Sequence, residues 1–199
     1  MEVMRMSDAD LLAVLCGTSG RALAKRPLSE VFGFNRPRQD GLFAGEDQAL
    51  YTVAPQSAAA IELFVRATQE KMQSIDCMGS PKAIREFLCG RMGALEHEVF
   101  WCLWLDAQNR LIAAEEVFRG TLTQTAVYPR EVVKRSMATN AAAVVFAHNH
   151  PSGLLEPSRA DECLTANLKQ ALGFVDVKVL DHFVVGGGKA ISFAEKGLI

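Results

Sequence analysis

The chain has 199 residues, 49% of them hydrophobic and 22% charged, with a formal net charge of −2 and a pI near 6.1. These are ordinary values for a globular protein, and they argue against a strongly basic nucleic-acid-binding domain, for which a pI above about 9 is the usual cue. Apolar runs such as Val99 to Leu105 fall far short of the roughly 20 residues a membrane span needs, and the first ten residues contain no apolar stretch of the secretory kind. The five cysteines (Cys16, Cys77, Cys89, Cys102, Cys163) are odd in number and show no C-x-x-C spacing. A disulfide framework or a thiolate metal cluster is therefore not expected, and a reducing, cytoplasmic setting is.

In chain order, residues 1–75 read as helical. Ser7-Asp8-Ala9-Asp10 has the form of an N-cap with an acidic first turn. After a break at Gly17-Thr18-Ser19-Gly20 a second helix is expected to Phe32, and Asn35 to Gly41 reads as loop. Ile61, Leu63, Phe64 and Ala67 form the stripe of a helix over Ala58–Met72. A domain boundary is expected near Gln73–Gly79, giving a helical region over 1–75 and a larger domain over 76–199.

In the larger part, Ser80-Pro81 reads as an N-cap followed by Pro at the first helical position. Val99–Leu105 is continuously apolar, as expected of a strand covered on both faces. Asp106 to Asn109 supply a turn, so Arg110 to about Thr121 should return as its antiparallel partner. Pro129 opens a helix to about Thr139. Ala142–Ala147 is a buried strand, and Ser158 starts a helix to about Leu172. Three further strands are expected at Val175–Leu180, Phe183–Val185 and Ala190–Phe193, with Gly186-Gly187-Gly188 as a hairpin turn. This order predicts an α/β sandwich around a mixed sheet.

The chemistry concentrates after the buried strand. His148 and His150 are two residues apart, so on an extended segment both side chains point the same way. After ten intervening residues beyond His150 comes Asp161, on the first turn of the following helix. Two imidazoles, one carboxylate and one open position describe a catalytic zinc site. Ser158-x-x-Asp161 also has the form of a capping box, and capping explains Ser158 nearly as well as a catalytic hydroxyl does. His182 is a candidate fourth ligand or a donor to a ligand. His97 is assigned no role, and Arg130 reads as structural or as an anion contact. A base is also needed, because a carboxylate must carry the water's proton to the leaving group. Glu115 and Glu116 are the candidates. As strand neighbours they face opposite ways, and periodicity does not choose between them. Zinc-dependent base deamination is set aside, since its H-x-E and P-C-x-x-C signature is missing.

The string His148-x-His150-Pro151-x6-Ser158-x-x-Asp161 resembles the signature of the JAB/MPN (JAMM) metallohydrolases. Residues from about 80 to 199 resemble the RadC family of JAB-domain proteins through Leu105-Asp-Ala-Gln-Asn-Arg-Leu-Ile112, Phe118-Arg-Gly-Thr121, Tyr128-Pro-Arg-Glu131, Asn140-Ala-Ala-Ala143, His148-Asn-His-Pro-Ser-Gly153 and Leu180-Asp-His182. The resemblance implies a three-layer, cytidine-deaminase-like mixed sheet with flanking helices, preceded by a small helical region. It implies Zn2+ held by His148, His150 and Asp161, Ser158 as the hydroxyl that steadies an oxyanion, and Glu115 as the catalytic carboxylate, five residues before Gly120. It further implies hydrolysis of an amide bond in a peptide or protein substrate.

The same resemblance relates residues 1–75 to a helix-hairpin-helix domain. Where its glycines should lie the chain reads Leu50-Tyr-Thr-Val-Ala-Pro-Gln-Ser57, which compromises a close backbone approach to phosphate. With the net charge of −2, this predicts duplex DNA binding poorer than micromolar, at odds with the family's DNA-repair label. A DNA-associated accessory protein, whose JAB fold mainly binds partners, is the competing reading of function.

Overall fold

The computed structural model describes residues 7–17, 20–23, 25, 55–120 and 127–199. Most of the expected helix to Phe32, the loop over Asn35–Gly41 and the stretch Leu50–Ala54 lie outside the described residues. The chain divides into two compact units, Met1–Val65 and Arg66–Ile199.

In the first unit, helix α1 (Asp8–Cys16) begins where the sequence indicates. Ser7 is its N-cap, its Oγ accepting from the Asp10 amide, and Gly17 closes the helix. Helix α2 spans Gly20–Leu23 and helix α3 Pro55–Ser74. The unit boundary falls inside α3, upstream of the break expected at Gln73–Gly79. Among the described residues of α3, Val65, Thr68 and Met72 are buried, spaced as one helical stripe.

The second unit contains helices α4 (Pro81–Met92), α5 (Pro129–Ala138) and α6 (Arg159–Gly173), and strands β1 (Val99–Leu105), β2 (Leu111–Arg119), β3 (Ala143–Asn149), β4 (Lys178–Gly186) and β5 (Lys189–Ser192). Two details differ from expectation. Ser80 makes no side-chain cap bond to α4. The helix entry is held instead by backbone turns, Ser80 N–H to Cys77 O and Ala83 N–H to Ser80 O. The two strands expected on either side of Asp181-His182 are one strand, β4. Asp181 interrupts the apolar pattern without breaking the strand because it is fully bonded. Its carboxylate accepts from Ser192 Oγ at 2.5 Å and from the backbone amides of His182 and Ala194.

The sheet runs β2-β1-β3-β4-β5. The β3–β4 pair is parallel and the other three are antiparallel, so α6 is the crossover that a parallel pair requires. β3 lies at the centre and is buried at all seven positions. On one face Phe100, Cys102, Trp104, Val144 and Phe146 pack with Val132 of α5 and with Leu168 and Leu172 of α6. On the other side α4 lies along the sheet, and the ring of its Phe87 meets Trp101 edge-on, with centroids 6.2 Å apart. This is the α/β sandwich around a mixed sheet that the element order predicts, in the three-layer form that the family resemblance implies. The β1–β2 turn is built by Asp106, whose Oδ1 accepts from the amides of Gln108 and Arg110, with Asn109 at φ 57°.

All five strands and α4–α6 lie within residues 76–199, so this stretch is expected to fold alone, with cooperative thermal unfolding by circular dichroism. Aggregation of that chain beside a well-behaved chain beginning at Arg66 would move the boundary upstream into α3.

Candidate metal centre

The site is built at the end of β3. His148 is its penultimate residue, and Asn149 turns to the opposite face. His150 then leaves the strand with its amide still bonded to Val185 O. The two imidazoles meet as the alternation predicts, Nε2 to Nε2 at 3.0 Å. Asp161, on the first turn of α6, joins them. Its Oδ1 is 3.5 Å from His148 Nε2 and its Oδ2 is 3.6 Å from His150 Nε2. Among the described residues these three form the group able to hold a metal ion.

The donor set fits zinc. Ligand atoms about 2.0–2.1 Å from a tetrahedral ion stand roughly 3.3 Å from one another, and the three separations bracket that value. His150 Nδ1 lies 2.9 Å from Leu154 O. A carbonyl can only accept, so Nδ1 carries the proton, and in the neutral ring Nε2 presents its lone pair to the group.

Asp161 is held by a complete capping box. The Ser158 amide and hydroxyl both donate to Asp161 Oδ2 at 2.7 Å, and Ser158 Oγ accepts from the Asp161 amide. The hydroxyl's single proton is thus committed to the carboxylate. Burial favours a neutral Asp161, but the neighbouring imidazoles of His148 and His150 and the Ser158 hydroxyl outweigh it and hold the carboxyl well below the usual range. His150 is shifted upward, first by its hydrogen bond to Asp161 and against the effect of burial. The Leu154 carbonyl and the charges of Asp161 and Glu98 add to that shift.

Glu115 is not brought into this group. It shares the face of His148, since it stands opposite Cys102, which stands opposite Phe146. His148 pairs instead with Phe100, so Glu115 lies two strands across and two residues along, about 12 Å away at strand spacings of about 4.8 Å and 3.3 Å per residue. Its carboxylate accepts from Trp104 Nε1 at 2.6 Å and from Arg135 Nε at 2.7 Å and NH2 at 2.5 Å. The Arg135 bonds, more than any other cause, draw its pKa down despite partial burial. Glu116 stands opposite Trp101 on the other face and pairs with Arg119.

Glu98, to which sequence reasoning assigned nothing, adds its charge at His150. The β1–β3 register ends at Phe100–His148; continued two residues further it would bring Glu98 opposite His150. Asn149 fixes this end of β1. Its Oδ1 accepts from the Val99 amide at 2.8 Å and its Nδ2 donates to His97 O at 3.0 Å, so the backbone on either side of Glu98 is clamped by the residue between the two histidines. From sequence, a glutamate ahead of an apolar strand reads as a solvated strand start. Only the antiparallel pairing of Val99–Leu105 with the histidine strand would have pointed to it.

Comparison with known proteins bears directly on this arrangement. Residues 78–198 match the model of the RadC-like JAB domain. The chain belongs to the RadC family. It is 51% identical to a UPF0758 protein of Nitrosospira multiformis and 49% identical to one of Nitrosomonas eutropha, each alignment covering 98% of this chain and 90% of the relative. It is also 51% identical, with the same coverage, to a UPF0758 protein of Aromatoleum aromaticum. The His-His-Asp group and Glu98 both lie within the span that matches the RadC-like domain.

The loop after His150 is set by a close approach. A Cβ at Gly186 would lie 2.8 Å from Gly153 O and 3.0 Å from Leu154 O, the acceptor that orients His150. Gly187 and Gly188, both at positive φ, make the β4–β5 turn. Gly186→Ala is therefore expected to displace Leu154 O and to cost about 1–3 kcal/mol of stability, measurable by denaturant unfolding. Unchanged stability would show that the loop can yield.

Proposed function

We propose that this RadC-family chain is a zinc-dependent hydrolase of the JAMM type, cleaving an amide bond in a peptide or protein. The observation that carries the reading is the convergence of His148 Nε2, His150 Nε2 and the Asp161 carboxylate at the spacing of a tetrahedral ion's ligands. Zinc held there would supply Lewis acidity and lower the pKa of a bound water to about 7.

The remaining work falls to the chain's own groups. Amide hydrolysis needs a base to take the water's proton and return it to the departing nitrogen, since an unprotonated amide anion is a very poor leaving group. Glu98 is proposed for this role. The β1–β3 pairing, if continued past Phe100–His148, would bring it beside His150, and its charge raises the His150 pKa. Glu115, held by Arg135 and Trp104, is proposed to brace α5 against the sheet. Ser158 is proposed to fix Asp161 as a ligand, in place of the oxyanion role implied by family resemblance.

Protein purified without added metal is expected to carry one zinc per chain by elemental analysis, and His148→Ala/His150→Ala to carry none. Equal zinc in both would end the metal reading.

Glu98→Gln should keep zinc and fold while losing roughly 100-fold or more of its activity, read as cleaved peptides in a proteome digest. Glu115→Gln should keep activity and lose about 1 kcal/mol of stability, the scale of a partly screened pair. The reverse pattern would return the base to Glu115. Ser158→Ala should weaken zinc binding in a chelator competition. A rate loss at full zinc occupancy would instead assign the hydroxyl to the reacting centre.

A further inference from the structure

Behind His148 the hydrogen bonds form a line with a fixed direction. His148 Nδ1 is 2.8 Å from His182 Nε2. His182 Nδ1 is 2.7 Å from Thr165 Oγ1, and Thr165 Oγ1 is 2.6 Å from the backbone oxygen of Asp161. His148 and Thr165 are each 2% exposed and His182 is 0% exposed. Phe100, Phe146 and Phe193 surround the His182 ring, with centroids 4.7–5.8 Å from its own.

The direction follows from counting protons. Two oxygens 2.6 Å apart need a hydrogen between them, and a carbonyl oxygen has none to give. The single Thr165 hydroxyl proton therefore points at Asp161 O, and toward His182 the oxygen can only accept. His182 Nδ1 must carry the proton. In a ring buried among phenylalanines, with no carboxylate among its hydrogen-bond partners, the neutral form is the one that folds without a large desolvation cost. Its Nε2 is then an acceptor, and His148 Nδ1 must donate to it. The neutral His148 ring is left with its lone pair on Nε2, toward His150 and Asp161.

We propose that Thr165 and His182 are positioning residues that set the tautomer of His148, through a one-way relay beginning at that ligand and ending on the backbone of Asp161. The proposal rests on the metal reading of the site. It ties one ligand to the residue that supplies another, so the relay fixes the ring's proton, its plane and the first turn of α6 together. Thr165→Val removes the acceptor without changing side-chain size. His182 then has no partner for an Nδ1 proton, and the ring moves that proton to Nε2, where it points at His148. His148 must then accept on Nδ1 and carry its own proton on Nε2, which blocks it as a ligand.

The test uses the full chain labelled with 15N-histidine, free of metal, at neutral pH. Long-range proton–nitrogen correlation spectra report which ring nitrogen of His148 and His182 carries the proton, and zinc affinity is measured separately by chelator competition. The wild type is expected to show both protons on Nδ1. Thr165→Val is expected to reverse both and to weaken zinc binding roughly 10- to 100-fold, the usual consequence of removing a ligand's partner. Thr165→Ser should restore both readings, since it returns the hydroxyl. A wild-type His148 with its proton on Nε2 and none on Nδ1 would overturn the relay whether or not the valine variant folds. A folded Thr165→Val with unchanged tautomers and zinc affinity would overturn it as well. If the wild type binds no zinc while the tautomers and their reversal are as described, the relay stands and the metal reading falls.

Discussion

The pairing of β1 with β3, Phe100 opposite His148, is the constraint on which the rest of the candidate metal site depends. A shift of one residue would turn every side chain of one strand to the other face, removing the aromatic packing around His182. Two devices hold the register. Along the strands it is the apolar rungs between Phe100–His148 and Leu105–Ala143, buried on both faces. At the open end, where β3 must release His150, the ladder is continued by the Asn149 side chain. Its amide offers one acceptor and one donor to the backbone of β1, standing in for a peptide group of the missing rung.

That substitution shows why the two histidines are separated by asparagine. The strand has to end at the site, because His150 belongs to a loop whose Leu154 carbonyl orients its ring. A strand end buried at 2% exposure leaves backbone groups of β1 without partners, and each costs about 1–3 kcal/mol if unmet. An apolar residue at 149 would fill the space and leave those groups unpaired. The same accounting explains Asp181, a buried carboxylate in a central strand that is tolerated because three donors reach it. Burial alone would raise its pKa and does so, while the donors oppose that rise.

The two carboxylates of β2 and the one ahead of β1 separate structural from chemical use of charge. Glu115 sits on the site's face, which is the position the family pattern around Gly120 led to. A bulge in β2, where Phe118 pairs with Phe100 but Glu116 with Trp101, sets which residues of that strand share a rung with Cys102. Glu115 lands beside Trp104 and under Arg135, where a full charge is neutralised by a neighbour on α5 and its proton affinity falls. A group so engaged suits bracing a helix against a sheet. Half-buried Glu98, ahead of β1, instead helps raise the pKa of His150.

The sequence by itself determined the α/β class, nearly every element of the larger unit and the three residues that converge at the candidate metal site. Each of these is a local matter. Alternation turns His148 and His150 the same way, a capping box places Asp161 on the first turn of a helix, and apolar runs mark strands buried on both faces. Tertiary structure decided what local rules leave open. Which glutamate lies near the histidines depends on strand order and register, a relation between residues 50 positions apart that carries no local period. That Gly186 makes room for the acceptor of His150, and that Thr165 and His182 meet behind His148, follows from bringing α6 and β4 against β3. Only the closed fold, in which each buried proton must find an acceptor, fixes the direction in which those side chains bond.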